Sequence, residues 1–196
     1  MLRLPRPFWV FGYGSLMWRP GFPFTDSAMG WLTGYHRALC VRSHHHRGTP
    51  ERNGLVVGLD RGGRCHGRLF QVSPGKVPGV LAYLREREGL SGVYEPCVLS
   101  VRLDRGQGAG LEGSLTGGRT VRCLAFRVRR SHKQYLRCRR GQRAETLMAT
   151  LVRQGQGWSG SCLDYLDQTL RLLRASGVRE PRLEYVLKRA RALPVV

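Results

Sequence analysis

Two stretches carry residue types that can do chemistry. The first is Phe11-Gly12-Tyr13-Gly14-Ser15-Leu16, entered directly from Phe8-Trp9-Val10. An aromatic, β-branched run that ends in Gly-x-Gly-Ser reads as a buried strand running into a tight loop. Glycines let the backbone turn where a Cβ would clash, and they let a ligand come close to main-chain N–H groups. Such a loop is a nest for an anionic group. The second stretch is Tyr83-Leu84-Arg85-Glu86-Arg87-Glu88, which closes a helical pattern just before Gly89. A carboxylate at that end of a helix opposes the helix dipole. Either Arg85 or Arg87 offsets Glu88, or the carboxylate has a task. Taken as residues alone, a plain turn between core strands and a solvated helix-end charge remain open for the two stretches.

Other chemistries fit less well. A dinucleotide fingerprint needs a third glycine where Met17 stands. A nucleophile elbow needs Gly-x-Ser-x-Gly, whereas Ser15 is flanked by Tyr13 and Met17. His44, His45, His46 and His66 invite a metal. His44 and His46 would share a face of an extended chain, but no third ligand is evident, so no metal site is expected. The cysteines at 40, 65, 97, 123, 138 and 162 form no Cys-x-x-Cys pair and read as buried free thiols.

The chain of 196 residues is long enough to bury a core without staples. No apolar stretch approaches a bilayer span. Met1–Pro7 lacks the apolar region of a secretory signal, so the chain reads as cytoplasmic. The formal charge of +20 suggests a polyanion partner. Yet the positive charge is nearly all arginine, the lysines being only Lys76, Lys133 and Lys188, and it is spread along the chain. No specific nucleic-acid site is expected; weak binding at low salt is.

The elements that must position the two stretches follow from periodicity. Strand-like runs occupy Ala28–Thr33 and Tyr35–Val41, with a bend at Gly34. Ser43–Glu51 is a polar loop. Gly54–Asp60 and Cys65–Val72 read as a hairpin turning at Arg61-Gly62-Gly63-Arg64. Lys76–Glu88 reads as a helix, with Val77, Val80, Leu81 and Leu84 at helical spacing. Tyr94–Leu103 and Val121–Val128 are further strands, separated by a glycine-rich surface turn over Arg105–Gly118. Three amphipathic helices follow. Their stripes are Ala144, Leu147, Met148, Leu151 and Val152; then Leu163, Leu166, Leu170 and Leu173; then Leu183, Val186, Leu187 and Ala190. Strands followed by helices give an α+β class.

Tyr13-Gly14-Ser15-Leu16 near the start of the chain resembles the signature of the γ-glutamylcyclotransferase superfamily. The longer run Phe11–Pro23 resembles its ChaC-like, glutathione-specific branch. Tyr83-Leu84, Arg87-Glu88, Gly92 and Tyr94 match a second pattern of that family, with Val93 where a glycine is usual. His46-Arg47-Gly48-Thr49-Pro50-Glu51 followed by Gly54-Leu55-Val56-Val57 matches a third. Gly157-Trp158-Ser159-Gly160 with Asp164-Tyr165-Leu166 resembles a fourth, but Cys162 stands where Asn is usual and Asp164 where Glu is usual.

The resemblance implies a small mixed β-barrel flanked by helices, with a helical C-terminal part. Length and the order of elements give one domain over 1–196, or one domain with a helical extension, strand-rich over 7–128 and helical over 142–192. The resemblance also implies release of 5-oxoproline and Cys-Gly from glutathione, with Glu88 as general acid/base and Val10, Phe11, Gly12, Tyr13, Gly14, Ser15 and Leu16 as substrate-binding residues. No cofactor and no metal are expected. Another γ-glutamyl substrate, or a polyanion-binding module on the same scaffold, stays open.

Overall fold

The computed structural model describes residues 3–89, 91–104, 118–137 and 141–194. These divide into two compact units. One comprises residues 1–37 and 59–129, the other 38–58 and 130–196. Cys138 and residues 105–117 of the glycine-rich turn lie outside the described residues.

The first unit carries a closed barrel in the order β1-β3-β2-β4-β5. Its strands are β1 (Phe8–Gly12), β2 (Asp26–Ser43), β3 (Gly54–Val72), β4 (Tyr94–Leu103) and β5 (Thr120–Val128), and the helix α1 (Val77–Gly89) precedes β4. β1 runs antiparallel to β3, from Phe8 opposite Val72 to Gly12 opposite Arg68. Val10 also pairs Leu124 of β5 in parallel, which closes the barrel. Closure removes the free sheet edges that β-rich chains otherwise have to protect. β1 is buried along its whole length, which explains why it reads as an unbroken apolar run rather than an alternating one.

Helix α1 covers one face of this barrel. Val80 and Leu84 are buried in a cluster with Phe8, Val10, Leu16, Phe22, Phe70, Val72, Leu124 and Phe126; Val77, Leu81 and Tyr83 pack at its margin. The predicted stripe is thus the face that docks α1. A short 3-10 turn over Pro74–Lys76 leads into the helix, so α1 starts one residue later than its periodicity suggests.

Two strand expectations need correction. The runs on either side of Gly34 are one strand, and Gly34 takes a left-handed φ of 88° within it. The hairpin at Arg61–Arg64 does not exist, because β3 continues through it. Gly62 and Gly63 both have positive φ and lie beside β2, where His36 Nδ1 is 3.0 Å from the Gly62 carbonyl. A glycine pair permits a bend within a strand as readily as a reversal. Local sequence cannot separate the two; the pairing of Cys65–Val72 with other strands decides it.

The second unit takes the remaining parts of β2 and β3 together with α2 (Gln142–Gln154), β6 (Gln156–Gly157), β7 (Gly160–Ser161), α3 (Cys162–Ala175) and α4 (Pro181–Ala192). α4 buries Leu183, Val186, Leu187 and Ala190 as its spacing predicts. On α2, however, Leu147 is exposed and Ala149 is buried instead. On α3, Leu163 is half-buried while Cys162, Tyr165 and Thr169 join the buried stripe.

Candidate active site

The loop after β1 forms because the strand ends on a glycine that must lie against the turn that follows. A Cβ on Gly12 would stand 2.8 Å from the Cβ of Leu16. Ser15–Met17 then make a single 3-10 turn, with Met17 N donating to the Gly14 carbonyl at 2.9 Å and Arg19 N to the Ser15 carbonyl at 2.8 Å.

Side chains from the barrel fix this loop from several sides. The Tyr13 hydroxyl donates to the Phe126 carbonyl at 2.7 Å. Arg37 is buried and donates from Nε to the Tyr13 carbonyl at 2.6 Å, and from a terminal nitrogen to the His66 carbonyl. Arg68 donates to Ser27 Oγ at 2.9 Å and reaches the Met17 carbonyl at 3.4 Å. A buried arginine is held only when its N–H groups find acceptors; here main-chain oxygens of the loop and of β3 supply them.

Glu88 sits in the last turn of α1. Its side chain is 15% exposed, whereas Glu86, two residues earlier, is exposed. Arg87 Nε lies 3.4 Å from Glu88 Oε1. The same guanidinium donates to Ser15 Oγ at 2.8 Å, to the Arg19 carbonyl at 2.9 Å and to the Tyr83 hydroxyl at 2.7 Å. Burial pushes the Glu88 carboxyl above its ordinary range; Arg87, by charge and hydrogen bond, pulls it down without cancelling the rise. A carboxyl raised in this way sits closer to the range where it can both take and give a proton near neutrality.

Of the residues expected to bind substrate, Val10 and Phe11 lie fully buried in β1 opposite Phe70 and Leu69, and Leu16 is buried in the core cluster. Gly12 is paired to Arg68. Tyr13, Gly14 and Ser15 form the turn itself, and Ser15 is the member linked to Glu88 through Arg87. Arg87 is the residue that sequence reasoning undervalued. It is legible as a partner of Glu88, and its four-residue spacing from Tyr83 signals their contact. Its bond to Ser15, 72 positions away, has no sequence signal.

The second unit holds the other motif residues. His46 Nδ1 lies 3.1 Å from Ser159 Oγ, and the His46 ring stacks on Trp158. Arg47 donates to the Ser161 carbonyl at 3.2 Å and lies over the Tyr165 ring. Ser161 caps α3, accepting from Asp164 N at 3.0 Å. Cys162 is buried; its thiol donates towards the Arg47 and Leu55 carbonyls at 3.2 Å and accepts from Leu55 N at 3.1 Å. Burial pushes that thiol up to about 12, so it stays protonated and suits a packing role. Among the described residues no three His, Cys, Asp or Glu side chains stand together as a metal site. His44 is held below its ordinary range by burial and by His45, Arg42 and Lys133.

The ChaC-like protein family matches residues 8–192. A glutathione-specific gamma-glutamylcyclotransferase of Escherichia coli K12 is 33% identical over 181 residues, covering 92% of this chain and 71% of that protein. The human glutathione-specific gamma-glutamylcyclotransferase 1 is 32% identical over 164 residues, covering 83% and 68%. A crystal structure of a yeast gamma-glutamyl cyclotransferase specific to glutathione superposes with a TM-score of 0.79 at 19% identity, covering 94% and 96% of the two chains. That superposition shows a shared fold.

Proposed function

Because this chain belongs to the ChaC-like family, we propose that it is a glutathione-specific γ-glutamylcyclotransferase with Glu88 as its general acid/base. The observation that carries the reading is the largely buried Glu88, raised by burial and joined through Arg87 to Ser15 of the Tyr13–Leu16 turn. The family match runs through both units, so residues 1–196 are proposed to work as one domain.

The reaction is an amide exchange within one substrate. The γ-glutamyl α-amine attacks its own γ-carbonyl carbon and closes a five-membered lactam. The bond from that carbon to the Cys-Gly nitrogen then breaks. Nucleophile and electrophile are tethered, so the protein mainly has to hold the substrate folded. The attacking amine gives up a proton and the leaving amine gains one; Glu88 carries that proton from the first to the second. In this reading main-chain N–H groups of the Tyr13–Leu16 turn hold anionic parts of the substrate or the developing oxyanion. The side chains of Val10, Phe11 and Leu16 are core, so their part is to fix the turn. No metal, nucleotide or covalent nucleophile enters these steps.

Among the described residues no helix is long and apolar enough to cross a membrane; a cytoplasmic site of action, where glutathione is abundant, is part of the proposal. The test is incubation of the purified chain with glutathione, following 5-oxoproline and Cys-Gly together. Their release in equal amounts is expected. Release of 5-oxoproline from other γ-glutamyl amines but not from glutathione would keep the reaction and overturn the substrate.

A further inference from the structure

We infer that Arg87 is the positioning residue of this site: its guanidinium locks the Glu88 carboxylate and the Ser15 hydroxyl into one fixed relation before substrate arrives. The inference rests on the reading of Glu88 as the general acid/base and adds to it the group that aims it.

The geometry uses nearly the whole guanidinium. One terminal nitrogen donates to the Arg19 carbonyl at 2.9 Å and to the Tyr83 hydroxyl at 2.7 Å, with the Pro20 carbonyl at 3.5 Å. The other donates to Ser15 Oγ at 2.8 Å, and Nε faces Glu88 at 3.4 Å. Three stretches of chain thus converge on one planar group: the turn at Ser15, the segment leaving it at Arg19–Pro20, and the last turn of α1. Arginine's fixed fork can hold several acceptors in set directions, which the point charge of a lysine cannot. The Arg87 side chain is 17% exposed, so the arrangement is not a solvated pair of the kind that contributes little.

Other charged side chains of the barrel are engaged elsewhere. On β4, Glu95 pairs with Arg127 at 2.7 Å. On β3, Arg68 donates to Ser27; on β2, Arg37 donates to the Tyr13 carbonyl. Arg85 and Glu86 of α1 are exposed, as is Arg19. The Tyr83 hydroxyl is bonded to Arg87 itself. Among the described residues, Arg87 is the charge that acts on Glu88.

The experiment compares wild type, Glu88→Gln, Arg87→Gln and Arg87→Lys as full chains, measuring kcat and KM for glutathione across pH together with melting temperature. Arg87→Gln is expected to lower kcat about 10–100-fold with a smaller change in KM. It should also move the ascending limb of kcat about one pH unit upward, because a carboxyl without its cation holds its proton more tightly. Arg87→Lys keeps the charge and loses the fork. Its ascending limb should stay near that of the wild type while kcat remains reduced about tenfold. A structural strap would move only the melting temperature; unchanged kcat and pH limb in a folded Arg87→Gln would overturn the inference. So would failure of both Arg87 variants to fold. An active wild type with an inactive Glu88→Gln would then leave the cyclotransferase reading standing, whereas a wild type that releases 5-oxoproline from neither glutathione nor any other γ-glutamyl amine would sink both.

Discussion

Two helix ends in this molecule each carry a carboxylate, one beside a serine cap and the other joined to a serine through an arginine, and their electrostatics are opposite. At the start of α3, Asp164 is exposed in the first turn and Ser161 accepts from its N–H. Negative charge at a helix N-terminus is favourable, and the serine is an ordinary cap. At the end of α1, Glu88 is largely buried at the pole where negative charge is unfavourable, and Ser15 accepts from the arginine that holds it. Stability alone explains the first arrangement and argues against the second. A carboxylate kept at that pole by burial and an arginine is a candidate for chemistry, which is the role proposed for Glu88.

The largest test of that contrast is on turnover. Glu88→Gln is nearly isosteric but cannot take a proton, and kcat should fall about 10²–10⁴-fold. The exposed Glu86→Gln should stay close to wild type. The reverse pattern, measured as Cys-Gly release, would put the reacting carboxylate one step back along α1.

The next test is on stability. A raised native pKa means the folded state binds the proton more tightly than the unfolded chain. The Glu88 contribution is therefore full below the ordinary carboxylate value and is lost as pH rises through the native one. At pH 8 the wild type should melt below Glu88→Gln, and the gap should close as pH falls towards 4. A wild type that melts higher at pH 8 would make Glu88 a stabilising ion pair and erase the contrast with Asp164.

Smaller effects belong to the other helix end. Ser161→Ala removes a cap worth about 1 kcal/mol, which in a chain of this size lowers Tm by about 2–4 °C, with kcat unchanged. A large loss of turnover without a change in Tm would give the start of α3 a catalytic part. Smallest is the response to salt. Glutathione is anionic and the chain carries +20, so raising ionic strength from about 50 to about 500 mM should raise KM about two- to threefold and leave kcat alone. Tight nucleic-acid binding that survives the same salt, in a chain without turnover, would favour a polyanion-binding role.

Much of this was written along the chain. The aromatic run into Gly12-Tyr13-Gly14-Ser15 determined a buried strand and a tight turn, because both depend on neighbouring residues. The stripe Val77-Val80-Leu81-Leu84 determined the face of α1 for the same reason, and the spacing of Leu183, Val186, Leu187 and Ala190 did so for α4. Four motifs in order were enough to suggest the family. What the tertiary structure decided depends on residues far apart. Gly62-Gly63 can reverse a strand or bend it, and only the partners of β3 choose. Barrel closure rests on Val10 meeting Leu124. The burial of Glu88 and the bond from Arg87 to Ser15 exist because α1 is docked by its apolar stripe against the core that also holds Leu16. Adjacent residues can state that a carboxylate has an arginine beside it; only packing across 72 positions makes that arginine the link between the carboxylate and the turn.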